Sequence, residues 1–161
     1  MSATLATPGP TRRLAPPLRR AVLTVHIIAS VALLGDCAAI LALNVRAATT
    51  ADPQLAASAY ELLTMFSVLF GIPLSLASLA TGLTLGLGSK WGILRYAWVA
   101  AKLVLILSVI VVGAVVIGPA TEALAAGRGT AVVPILGSAY DIVALSLATG
   151  LSVFKPGRRR R

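Results

Sequence analysis

Between Arg20 and Arg46 runs AVLTVHIIASVALLGDCAAILALNV, from Ala21 to Val45, and its only charged residue is Asp36. A helix needs about 20 predominantly apolar residues to cross the hydrocarbon core of a bilayer. This stretch is long enough. Three more like it follow, between Glu61 and Lys90, between Arg95 and Glu122 with Lys102 near its start, and between Arg128 and Lys155 with Asp141 in its middle. The pattern predicts an all-α polytopic membrane protein with four transmembrane helices in an up-down-up-down bundle.

The bulk numbers agree. Of 161 residues, 58% are hydrophobic and 12% charged, and the mean hydropathy is +0.93. A soluble domain carries about 25% charged residues. There is no room for a second fold beside four spans. The formal net charge of +9 in a soluble chain would suggest nucleic acid. Here the basic residues flank hydrophobic spans instead, so no nucleic-acid partner is expected.

Sorting the charges by loop gives an orientation. Arg12, Arg13, Arg19 and Arg20 precede the first span. Lys90 and Arg95 lie in the second connection, and Lys155 with Arg158 to Arg161 follows the fourth span. Only Arg46 and Arg128 fall on the opposite side. Lys and Arg concentrate in short cytoplasmic loops, so both termini are expected in the cytoplasm of a bacterial cell, with the protein in its plasma membrane. The basic tails should attract anionic lipid headgroups, at about 1 kcal/mol per residue near the surface.

Cys37 is the sole cysteine and lies inside the first span, so it has no internal disulfide partner. Leu34-Gly35-Asp36-Cys37 is not a lipoprotein cleavage box, because Asp36 stands where a small neutral residue belongs. The first apolar run also exceeds the roughly 7–15 residues of a signal-peptide core, so it should be retained as a helix.

Residues 1–18 are expected to be a disordered, basic, proline-rich cytoplasmic tail, and residues 156–161 a second basic tail. The helices are expected at about 19–45, 53–88, 92–118 and 131–154. Asp52-Pro53 has the chemistry of an N-cap followed by a first-turn proline. Gly118-Pro119 is expected to end helix 3, and Pro73 to bend helix 2. On helix 2, Gly71, Ser75, Ser78, Gly82 and Gly86 share one face. Small residues let helix backbones approach closely in lipid, so this face packs either inside the bundle or against a second copy. Trp91, Arg95, Tyr96 and Trp98 are expected to anchor the cytoplasmic entrance of helix 3, since Trp and Tyr favour the headgroup level.

Asp36, Asp141, Lys102 and His26 are the candidate intramembrane polar site. Burying such groups is costly, so they usually face the bundle interior. Counting residues from the flanking arginines places Asp36 and Asp141 in an outer layer, and His26 and Lys102 in an inner one. Helices 1 and 4 neighbour each other in an up-down bundle, so the two carboxylates can face one another. They would share a proton or bind a cation. Lys102 either reaches up to Asp141 as an ion pair or extends back to the cytoplasmic headgroups. Haem needs axial ligands at matching depth; His26 is the only histidine, so only a dimer would supply a pair. No metal-ligand spacing, phosphate loop or nucleophile–base set appears, and no cofactor is expected.

Leu23-Thr24-Val25-His26, the segment Ser89-Lys90-Trp91-Gly92-Ile93-Leu94-Arg95-Tyr96 with Trp98 and Lys102, and the ending Leu151-Ser152-Val153-Phe154-Lys155-Pro156 resemble a group of actinobacterial four-helix integral membrane proteins. The most specific part is the Trp-Gly-Leu-Leu-Arg-like run before helix 3. The resemblance implies that Trp91, Arg95, Trp98 and Lys102 form a family feature at the cytoplasmic face. It implies no reaction. The leading functional expectation is a non-enzymatic accessory or assembly subunit of a membrane complex. The alternative is a small oligomeric proton- or cation-coupled transporter using Asp36, Asp141 and Lys102. Remoter readings are a dimeric haem cytochrome and an intramembrane aspartyl protease built on Gly35-Asp36 and Tyr140-Asp141.

Overall fold

A computed structural model describes residues 14–88 and 97–154. These form four long rods, α1 (Pro16–Thr49), α2 (Pro53–Leu87), α3 (Ala97–Ala125) and α4 (Val132–Phe154), each apolar and long enough to span a membrane. No strand occurs among the described residues. α1 packs on both α2 and α4, and α4 packs on α3, which closes an up-down bundle. Below, the tail end is where α1 begins and α4 ends. The loop end carries residues 50–52 and 126–131.

Local chemistry sets two of the helix boundaries. The Asp52 carboxylate accepts from the Gln54 and Leu55 amides at 2.9 and 3.3 Å, and Pro53 fills the first turn, where no amide partner is needed. α3 stops in a Schellman turn, with Arg128 N–H donating to the Ala123 carbonyl and Gly127 N–H to the Leu124 carbonyl. That turn puts Gly127 at φ 71°, a left-handed conformation that glycine adopts without a Cβ clash.

Three expected boundaries move. α1 begins at Pro16, inside the segment expected to be a disordered tail, because a proline in the first turn starts a helix readily. It also runs on to Thr49 instead of ending at 45. α3 passes through Gly118-Pro119 and ends only at Ala125. The reason is a π turn, Gly113–Ile117, that ends with only Gly118 between it and the proline. A proline in a helix clashes with the carbonyl four residues earlier, here that of Val115. Widening that turn accommodates the ring. α2 repeats the device, with π turn Ser67–Gly71 just ahead of Pro73. Residues 1–13, 89–96 and 155–161 lie outside the described residues, and with them the first 13 residues of the N-terminal basic tail, the whole C-terminal one and the anchors Trp91, Arg95 and Tyr96.

The buried core is small, with Leu33, Cys37, Val109, Ala144 and Leu145 packed where α1, α3 and α4 meet. Large apolar side chains point outward on every rod, Val31, Leu69, Val115 and Leu136 each being more than half exposed. In water such a belt would drive aggregation. In lipid it is the ordinary outer surface of a bundle.

Candidate functional site

The small-residue face of α2 lies against α1. The Ser30 and Ser78 hydroxyls hydrogen-bond at 3.1 Å. A Cβ on Gly82 would stand 3.2 Å from His26 Cε1, and one on Gly71 would stand 3.2 Å from Asp36 Oδ2. The glycines are therefore spaces that the polar side chains of α1 occupy. Gly86 continues the same register, and Ser75 is buried with its hydroxyl donating to the Ile72 carbonyl.

His26 is committed to α2. Its Nδ1 lies 2.9 Å from Thr81 Oγ1, while that hydroxyl is 2.6 Å from the Ala77 carbonyl. The threonine has one proton to give and the carbonyl can only accept. The ring nitrogen must then be the donor to Thr81, which fixes the tautomer.

Lys102 does not reach Asp141. Its ammonium donates to Ser152 Oγ at 3.1 Å and sits 4.8 Å from the centre of the Trp98 ring. Ser152 is eleven residues beyond Asp141 on α4, about 16 Å along the axis at 1.5 Å per residue. Of the two alternatives for Lys102, the contact is one in the last turns of α4, away from Asp141. The long stem extends toward the tail end, which is the direction in which a lysine reaches water from within a membrane.

The two aspartates have a different setting. Both line one cavity of about 530 Å³. α1 contributes Leu33, Asp36, Cys37 and Ile40 to it, and α4 contributes Ser138 and Asp141; α2 and α3 contribute stretches that include both π turns. Asp36 is 7% exposed and Asp141 4%. Neither Asp36 oxygen has a hydrogen-bond partner, nor has Asp141 Oδ1. Buried polar groups are nearly always paired, and each exception asks for an explanation. Unpaired carboxylates inside a bilayer are a stronger exception. Glu122 and Thr121 line the cavity toward the loop end.

The cavity lies between α2 and α3 at the level of their two π turns. Pro53–Phe66 meets Gly118–Ala125, and Ile72–Leu87 meets Ala97–Val112. On α2, Val68, Ile72 and Leu76 line the cavity while staying 57%, 55% and 53% exposed. They mark a side opening toward lipid. The far wall is held tightly: α3 and α4 approach at Gly137, where a Cβ would lie 2.7 Å from Ile117 Cγ1, and Tyr140 donates to Ser108 Oγ at 2.7 Å.

Sequence reasoning did not single out Gly137, Ser108 or Asn44. Asn44 is 1% exposed, donates to the Ile40 carbonyl and leaves its Oδ1 unpaired. Its spacing of eight from Asp36, on one face of α1, was the available signal.

Fold and cavity together define a polytopic α-helical membrane protein with a polar site inside its bundle. The chain belongs to the family described as predicted integral membrane protein (DUF2269), whose family model matches residues 20–151. Comparisons with curated proteins and with solved structures gave no match.

Proposed function

We propose that this protein is a small, non-enzymatic transport unit of the bacterial plasma membrane, in which Asp36 and Asp141 exchange protons or cations within the bilayer. The observation that carries this reading is the pair of buried carboxylates, with three oxygens unpartnered, on the wall of one cavity. An accessory subunit whose helices serve only assembly has no use for such groups, and packing would remove the void around them. Lys102 takes no part in the exchange on this reading. It ties α3 to α4 at the tail end, which the charge distribution assigns to the cytoplasm. The titratable neighbours of the pair are Cys37 on α1 and Glu122 on α3; the α2 lining brings none. Function as an oligomer of this four-helix unit is part of the proposal.

The test is flux in vesicles reconstituted with the full chain and loaded with a pH-sensitive dye. Gradients of sodium, potassium or an organic ammonium ion are applied separately. Wild type should move protons against one of these cations, and Asp141→Asn, still monodisperse in detergent, should not. Wild-type flux equal to that of empty vesicles, or unchanged in the variant, would refute the reading.

A further inference from the structure

We propose that the cavity takes a lipophilic organic cation, of the hydrophobic amine or phosphonium class, which enters from the bilayer between α2 and α3. This rests on the exchange reading above and names the substrate class of that site.

Size comes first. A volume of about 530 Å³ falls within the roughly 300–1,000 Å³ of pockets that hold drug-sized molecules. A bare metal ion or a proton would leave most of it empty. The wall chemistry is next. Leu33, Ile40, Leu63, Val109, Ile110 and Ile117 give an apolar lining around the two aspartates. A divalent cation wants six or more converging oxygens, and no group of three His, Cys, Asp or Glu converges among the described residues. An anion would be repelled by the carboxylates. A neutral apolar molecule would leave them as unpartnered as before. One positive charge on an apolar body satisfies both features of the wall.

Access agrees with this choice. Val68, Ile72 and Leu76 line the cavity and are each more than half exposed, so it is reached from the surface of α2, within the membrane-spanning length of that helix. A molecule that partitions into the bilayer arrives there directly. The two π turns, Ser67–Gly71 and Gly113–Ile117, line the cavity from α2 and α3, each just before a proline. Such turns are frequent at functional sites.

Two probes of the same shape and opposite charge provide the test. Equilibrium dialysis of the full chain in detergent measures binding of tetraphenylphosphonium and of tetraphenylborate. The phosphonium should bind saturably and the borate should not. The Asp36→Asn, Asp141→Asn double variant should bind the phosphonium roughly thirtyfold or more weakly, as expected when a buried charge loses its partner. Ser152→Ala, remote from the cavity, should bind as wild type does. Equal binding of the two probes would show a plain apolar pocket and overturn the proposal; this comparison needs only wild type and stands if the double variant does not fold. Undiminished binding by a folded double variant would overturn it too. If neither probe binds but aspartate-dependent exchange of protons with sodium or potassium persists in vesicles, the substrate class is wrong and the exchange reading survives. If both assays are silent, both fall.

Discussion

Replacing Gly137 with alanine puts the packing of the cavity's far wall under direct test. The new Cβ would lie 2.7 Å from Ile117 Cγ1 and 3.2 Å from its Cδ1. Carbon atoms pack favourably at about 3.5–4.0 Å, so α3 and α4 must separate by most of an ångström or Ile117 must leave its rotamer. Separation is resisted close by, since Tyr140 holds Ser108 across the same interface at 2.7 Å. Overpacking of this kind costs about 1–3 kcal/mol, and exchanging glycine for alanine in a helix returns up to about 1 kcal/mol. With that full return the net loss is about 0–2 kcal/mol, so the deciding quantity is the difference from Gly35→Ala, which carries the same helix gain: about 1–3 kcal/mol. Gly35→Ala, with nothing within 4 Å of the new Cβ, should show no loss. Unfolding in mixed detergent–SDS micelles, followed by tryptophan fluorescence, measures both. Ile117→Ala alone should cost about 2–5 kcal/mol as a buried truncation. The double variant should then be more stable than the sum of the two losses by about 1 kcal/mol or more, because the clash has no partner left. Strict additivity, or a Gly137→Ala protein as stable as Gly35→Ala, would refute this account of the wall.

Gly82→Leu should destabilise the α1–α2 contact, because the added side chain must displace the His26 ring; a fall in melting temperature far larger than that of Gly150→Ala, which meets nothing within 4 Å, is the expected reading. Asp52→Ala should cost about 1 kcal/mol as a lost N-cap, with faster hydrogen exchange confined to the first turn of α2. Cys37 is 6% exposed on the cavity wall, so membrane-permeant N-ethylmaleimide should label it slowly, and saturating tetraphenylphosphonium should slow the labelling further; unaltered labelling would place the phosphonium elsewhere.

The four spans were legible because hydropathy and charge act over twenty residues at a time, and small local errors average out. The Asp52 cap was legible because its chemistry is local. The passage of α3 through Pro119 was not, since a proline read alone says stop. Whether a π turn absorbs it depends on how the preceding turn packs in lipid. Counting residues from the flanking arginines placed Asp36 and Asp141 at similar depth, and the bundle puts both on one cavity. Counting could not choose a partner for Lys102, whose long stem reaches Ser152 and Trp98 as readily as anything deeper. The cavity itself was invisible in the sequence. Its walls come from residues of all four helices, far apart in the chain, so no local residue pattern records it.

The central claim is that Asp36 and Asp141 change their ionic partner when a cation arrives. Infrared difference spectra of the protein in lipid films, recorded as buffer without and then with tetraphenylphosphonium flows over them, read this at the carboxyl groups themselves. The account predicts a change in the carboxyl stretching region that vanishes in the Asp36→Asn, Asp141→Asn double variant. Superimposable spectra from the wild-type and double-variant proteins would contradict it.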